Sequence, residues 1–330
     1  MKITIEELAR LCGISPGTVD RALNDRPGIN AETKKRIQEV AERVGYRPHL
    51  IARSLASGRS KAVGVVLLNL DNSFFSQLVS TIERVALDHG YFTNVTLSHN
   101  DVEREKSCLE RLSGYGVDGI IMFPVNKGRE YEQYLRSLDT PIVVLGNRLS
   151  NRWSSVTIGN REALSDAVKL AASRGYRRVA YVAAPFPHGK VMNDDQGEER
   201  YQGFRAGVSE HKEIAESTVI KGLDYQDKCA RLARDGGGRW ALLCNADLAA
   251  LELLEHFRSI GISVPRDVGL TGFDDLSLLR YTHPGLTTIA YPIREMSRKA
   301  FASVMSAIEN PDGPPADTVL PHVMVERETL

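Results

Sequence analysis

Residues 62–68 read AVGVVLL, an almost unbroken apolar run, and the chain behind it returns an apolar side chain every three or four positions, at Leu78, Ile82, Val85 and Ala86. A strand apolar on both faces needs both faces covered. A parallel sheet flanked by helices meets that condition, and the 3.6-residue period that follows supplies the first helix. The alternation predicts further strands at about 91–97, 119–123 and 141–145. A second series opens near 161 with a helix to Arg174 and the strand RRVAYVAA, then elements around 203–209, 218–221, 226–234, 240–244, 246–260 and 268–271. ALDHGYFTNV and AASRGYRRVAYV each end a helix at glycine and open a strand with tyrosine, a sign of two similar α/β lobes. At 330 residues and 42% hydrophobic side chains, the chain has length for such a body and one smaller domain.

The smaller domain is read in residues 1–46. Thr4 and Glu7 make a capping box, after which Ile5, Leu8, Ala9 and either Cys12 or Leu11 share a helical face that ends at Gly13. Ser15 is a good N-cap, and Pro16 stands at the first helical position, where its missing N–H is not needed. A second helix therefore runs to about Leu23. Asn30 caps a third, with Ile37, Val40, Ala41 and Val44 as its stripe. The three residues GIS between the first two helices fit a helix-turn-helix. Val19, Ala22 and Leu23 are spaced to pack inward, leaving Pro16, Gly17, Thr18, Asp20 and Arg21 outward. Such a face can enter a major groove, with Arg21 reaching guanine or phosphate. An ordinary three-helix packing unit is the competing reading.

Charge supports the first reading. The whole chain balances 42 Lys and Arg against 42 Asp and Glu, yet residues 1–60 hold 11 basic against 7 acidic residues. The four cysteines show no metal or disulfide spacing, and neither an apolar leader nor a run of membrane-spanning length is present, so a reducing, cytoplasmic setting is expected. The eight histidines form no metal motif; SEHK at 209–212 and the glycine-rich DGGGRW at 235–240 lack the context of a catalytic or phosphate loop. No enzyme activity, cofactor or metal is expected.

Between the two parts lies GYRPHLIARSLASGRSK, residues 45–61. Its potential helix from His49 to Ala56 is too short to be stable alone in water and would fold on a partner. Leu55 would then act as an aliphatic wedge in a minor groove. A plain tether with Leu55 packed on the body is the alternative.

Taken together, TIEELARLCGISPGTVDRALN, GYRPHLIARSLASGRSKAVGVV, DGIIMFP, GFDDLS and PGLTTI stand in an order and spacing that resemble the lactose/galactose repressor (LacI/GalR) family of bacterial transcription regulators. The resemblance implies a small all-α helix-turn-helix head and an α/β body of two lobes with parallel sheets, like periplasmic sugar-binding proteins. It implies a headpiece at 1–46, a hinge at 47–60 and an effector-binding and dimerisation domain at 61–330. The N-lobe would comprise about 61–161 and 291–322, and the C-lobe about 162–290 and 323–330. DNA contacts would come from Thr4, Ser15, Pro16, Gly17, Thr18, Asp20, Arg21 and Asn24, and from His49, Ala52, Arg53 and Leu55 of the hinge. The family most often has serine where Asp20 stands; this acid either accepts from a cytosine or orients Arg21.

The same resemblance places a small effector, expected to be a carbohydrate, in the cleft between the lobes. Phe74 and Phe75 would wall it, with Asp71 or Asn72 beside them and Phe75 alternatively only core. Asn147 and Arg148 would stand at the rim, Arg200 would bond hydroxyls or anions, and Asp274 would sit at a strand end, with Asp275 structural. LLCNADLAAL departs from the family pattern, so Asn245 and Ala246 compete for one pocket position. Relatives work as homodimers on near-palindromic double-stranded operators, which implies dimer contacts from the helix after FF and from REMSRKAFASVM at 294–305. The family's leucine-rich tetramer tail is not seen before Leu330, so a dimer, with no membrane partner, is expected. A solute-binding protein of the same body fold is the alternative function; the basic head argues against it.

Overall fold

The computed structural model of the chain describes residues 3–23, 25–46, 58–185 and 193–330. Residues up to Ser60 and residues from Lys61 onward form two separate units.

In the first unit, α1 (Ile5–Cys12) starts at Thr4, whose Oγ1 accepts from Glu7 N at 3.2 Å while Glu7 returns a bond to Thr4 N at 2.8 Å. These reciprocal bonds satisfy two amides that a helix start otherwise leaves open. Ser15 Oγ accepts from Thr18 N at 3.2 Å at the head of α2 (Pro16–Leu23), and Asn30 caps α3 (Ala31–Arg43). Leu8, Ala9 and Cys12 bury themselves against Val19, Ala22, Ile37 and Ala41. Leu11 faces solvent, so Cys12 completes the α1 face. Arg36 Nη2 donates to Cys12 O at 2.7 Å and ties α3 to the end of α1.

The second unit is built on two parallel sheets. β1 (Ala62–Leu67), β2 (Phe92–Leu97), β3 (Gly119–Met122), β4 (Ile142–Leu145), β5 (Ser154–Ile158) and β11 (Asp317–Leu320) form a six-stranded sheet in the order β11-β5-β4-β3-β1-β2. Against it lie α4 (Ser73–Asp88), α5 (Val102–Gly114), α6 (Arg129–Ser137) and α11 (Ile293–Glu309). Every β1 residue is buried, as its apolar run requires. β6 (Arg178–Ala183), β7 (Glu216–Lys221), β8 (Trp240–Cys244) and β9 (Gly269–Thr271) form the second sheet, in the order β7-β6-β8-β9. It carries α7 (Asn160–Ser173), α8 (Asp195–Glu210), α9 (Tyr225–Arg234) and α10 (Asp247–Ser259). A short antiparallel pair, β10 (Thr288–Ala290) with β12 (Val323–Val325), completes the unit.

The chain passes between the sheets three times: from β5 into α7, from β10 into α11, and from β11 into β12. Crossing segments of this sort are where hinge motion between two lobes is absorbed. One glycine fixes the placement of α8. A side chain at Gly203 would meet the backbone carbonyl of Arg161 on α7 at 2.0 Å, so only glycine lets these helices touch backbone to backbone. That contact holds Arg200, one turn earlier, at the cleft.

Among the described residues no helix is long and apolar enough to cross a membrane, and no group of three or more His, Cys, Asp or Glu side chains could hold a metal ion.

Candidate functional site: an interlobe cavity

A cavity of about 860 Å³ lies between the lobes. Its walls are the segments that directly follow β1, β2, β3 and β4 on one side and β6, β7, β8 and β9 on the other. Ligands of parallel α/β folds sit at such carboxyl ends of strands, and the volume lies in the upper part of the range for small-molecule sites.

At its base, Phe74 packs on Tyr291 with ring centroids 4.6 Å apart and edge-on to Phe75 at 5.1 Å, and Phe75 meets Phe123 at 5.3 Å. Both phenylalanines therefore serve the cavity wall and the core at once. Arg200 is buried with its guanidinium 3.6 Å above the Phe273 ring. Its Nε donates to Asn160 Oδ1 at 3.0 Å, Nη1 to Asn245 O at 2.6 Å and Nη2 to Tyr291 Oη at 2.5 Å. Three of its five N–H groups are thus spent on protein, which fixes the plane of the remaining two.

Asp274 reaches the cavity from the loop after β9, with φ of 120°. Such a backbone is strained for a residue with a side chain and persists only where its surroundings hold it. Asp247 does the holding: fully buried at the start of α10, it accepts from Leu276 N at 2.8 Å and Thr288 Oγ1 at 2.5 Å, while its own N–H donates to Phe273 O at 2.7 Å. A Cβ on Gly272 would meet Asp247 Oδ1 at 2.1 Å, so this brace needs glycine beside it. Arg327 pairs with Asp275 at 2.7 Å and anchors the loop's far side. Burial raises the Asp274 carboxyl to about 6 against the lowering influence of Arg200 and of the Asn72 hydrogen bond. Burial, together with the charge of Asp274, also holds Asp247 well above the carboxylate range.

Hydrogen bonds cross the cleft on both flanks. Asn72, the N-cap of α4, donates Nδ2 to Asp274 Oδ2 at 3.3 Å. On the other flank Asn147 Nδ2 donates to Asn193 O at 2.7 Å, its Oδ1 accepts from Gln196 N at 3.2 Å, and Asn193 Nδ2 donates to Arg148 O at 2.9 Å.

Of the effector residues expected from sequence, Asp71, Phe74, Phe75, Asn147, Arg200, Asn245, Ala246 and Asp274 all line the cavity. Asn245 and Ala246 both do so, and Asn245 also pins Ala184 through two backbone bonds of 3.3 and 3.0 Å. Arg148 is the one that does not: its Nη2 turns to Asp317 of β11 at 3.3 Å, and its backbone N–H bonds Asp195 at 3.2 Å, so the charge is drawn away from the cavity. Sequence reasoning did not find Tyr291, Asn193, Gln196 or Asp247. Tyr291 sits at a lobe crossing and Asp247 beneath a loop, roles that only tertiary pairing reveals.

In the first unit Thr4 and Ser15 both cap helices, and Ser15, Pro16, Gly17 and Arg21 are exposed with Thr18 and Asp20 half-buried beside them. The Asp20 carboxylate lies 3.2 Å from Arg26 Nη1, a partner the sequence reading did not weigh. Asn24, His49, Ala52, Arg53 and Leu55 lie outside the described residues.

Residues 4–49 match the family described as bacterial regulatory proteins, lacI family, and residues 168–330 match the periplasmic binding protein-like domain. Catabolite control protein A of Streptococcus mutans is 30% identical, with 99% of this chain and 98% of the relative covered. Its namesake in Priestia megaterium is 28% identical over 100% of this chain and 99% of the relative. The lac repressor dimer bound to operator and an anti-inducer has the same fold, with a TM-score of 0.85 at 20% identity over 100% of this chain and 99% of that one. The chain, with its capped three-helix head and its cavity between two parallel-sheet lobes, therefore belongs to the lacI family of bacterial regulatory proteins.

Proposed function

We propose that this DNA-binding transcriptional regulator acts as a homodimeric repressor on a near-palindromic operator in the bacterial cytoplasm. A small polyhydroxylated ligand, a carbohydrate or a close relative of one, would control it from the interlobe cavity. The observation that carries the ligand class is the pairing of apolar ring faces (Phe74, Phe75, Tyr291) with directional polar groups (Arg200, Asp274, Asn72) around one space. Apolar ring faces suit the C–H face of a sugar or the face of a base, and fixed donors and acceptors suit its hydroxyls.

A single head reads too few base pairs for useful specificity, whereas two heads on inverted half-sites reach it. Self-association has a fitting surface: Leu87 at the end of α4 and Phe92 and Val95 on the edge strand β2 are 64%, 46% and 40% exposed. An edge strand with apolar side chains left open invites a second copy. DNA contacts are assigned to Thr4, Ser15, Pro16, Gly17, Thr18, Asp20, Arg21 and Asn24, with His49, Ala52, Arg53 and Leu55 in the hinge. A ligand that prefers one lobe arrangement 5- to 150-fold makes about 1–3 kcal/mol available to order or release that hinge.

The test is a thermal-shift screen of hexoses, pentoses and nucleosides on the full chain, followed by operator binding with each hit. A ligand at 100 times its Kd adds about 2.7 kcal/mol of stability, a shift easily read. A hit that weakens operator binding marks an inducer and one that strengthens it a corepressor; hits that leave it unchanged speak against control from the cavity.

A further inference from the structure

Glu105, in the first turn of α5, is fully buried, yet no Lys, Arg or His among the described residues pairs with it. Its carboxylate accepts instead from the Val125 backbone N–H at 2.6 Å and from Tyr131 Oη at 2.5 Å, and it also bonds the Asn126 backbone. The same short turn, residues 124–126, presents its carbonyls to the cleft flank. Pro124 O accepts from Asn147 Nδ2 at 3.2 Å, Val125 O from Asn193 N at 3.0 Å and Asn126 O from Asn193 Nδ2 at 3.4 Å. Asn193 belongs to the segment leading into α8 of the other lobe.

The Val125–Asn126 peptide is thus held at both ends, by Glu105 through the Asn126 N–H and by Asn193 of the opposite lobe through the Val125 C=O, while Glu105 and Asn147 of its own lobe hold the Pro124–Val125 peptide in the same way. A carboxylate bonded to a peptide N–H polarises that peptide and strengthens the bond its carbonyl accepts. We propose that Glu105 is a positioning residue for lobe closure: its buried carboxylate sets the 124–126 turn in the geometry that the Asn147–Asn193 latch requires, and its ionisation tunes the latch.

The surroundings allow that ionisation to change near neutral pH. Burial pushes the Glu105 carboxyl up to about 7, against the lowering effect of its three hydrogen bonds. The strands beneath, β1, β2 and β3, contain no ionisable side chain. From α6 it is faced by the phenols of Tyr131 and Tyr134, both kept neutral by burial and by nearby carboxylates. On its own helix Lys106 is paired with Glu103 at 2.9 Å, and the neighbouring cations Arg104 and Lys127 line the cavity. As pH falls through 7 the carboxylate gains a proton, its hold on the two N–H groups weakens, and the latch loosens.

The significance of the latch rests on reading the cavity as the effector site, but its test needs no effector, so the two stand or fall apart. Amide exchange of peptides covering 123–127 and 193–200 is measured on the full chain at pH 6 and pH 8, corrected for intrinsic exchange. The wild type is expected to show several-fold greater protection at pH 8, and Glu105→Gln, folded by circular dichroism, to lose the pH dependence in both peptides. Tyr131→Phe removes a bond to the ionised form and moves the midpoint to higher pH, and it decides the question should Glu105→Gln not fold. A Glu105→Gln protein with the wild-type pH profile, or an unmoved midpoint in Tyr131→Phe, overturns the proposal.

Discussion

Arg200 Nη2 and Tyr291 Oη are 2.5 Å apart, joining a helix of one lobe to the point where the chain crosses to the other. A side chain bonded in this way can sense lobe geometry, because moving the crossing breaks its bond.

Replacing Arg200 by Met keeps much of the bulk and removes all three bonds. Tyr291 Oη retains Gln196 Nε2 at 3.2 Å, but Asn245 O and Asn160 Oδ1 lose a donor in the interior. Stability should fall by about 2–6 kcal/mol in urea titration, at about 1–3 kcal/mol for each of the two buried groups left unpaired. Calorimetry should find no effector binding.

Asp274 should make effector affinity depend on pH. With its carboxyl raised to about 6 by burial, the ionised acceptor dominates at pH 7.5 and is largely lost at pH 5, so affinity should drop several-fold over that interval. Stability runs the other way. The folded state holds this proton more tightly than the unfolded chain, so the contribution is full below about pH 4 and is lost as pH rises through 6. Asp274→Asn should remove that loss, gaining about 1–3 kcal/mol at pH 7.5 relative to the wild type while abolishing effector response. Urea midpoints at pH 5 and 7.5 check the sign.

The head offers a paired test. Arg21→Ala should lower the preference for operator over random duplex by about 1–3 kcal/mol if it reads a base; equal loss on both duplexes would mean phosphate contact only. Asp20→Ala frees Arg26 from its 3.2 Å ion pair, adds positive charge to the same region and should raise non-specific affinity and its salt dependence.

Phe92→Asp with Val95→Asp places two carboxylates on the β2 edge. Sedimentation should show a dimer for the wild type and a monomer for this variant, with effector binding retained and operator affinity lost.

How far residue pattern reaches can be seen by comparing neighbours. The unbroken apolar run of β1 and the capping box at Thr4 are local signals, and the structure repeats both. β5, by contrast, is SSVTI, too polar to stand out, and forms only because β4 and the distant β11 flank it. Phe74 and Asp274 were legible because motif and strand end coincide. Arg148 was not, since its direction depends on Asp317, 169 positions later in the chain. Nothing local to LLCNADLAAL marks Asp247 as the brace under Asp274, because its partners Leu276 and Thr288 come from elements far along the chain.

The most direct measurement is selection of duplexes from a randomised pool by the full chain, with elution by the hits of the ligand screen. The account predicts enrichment of two inverted half-sites whose retention changes at least fivefold with a ligand, and loses that response in Asp274→Ala. Recovery of unenriched duplexes, or of sites that no cavity ligand affects, would contradict it.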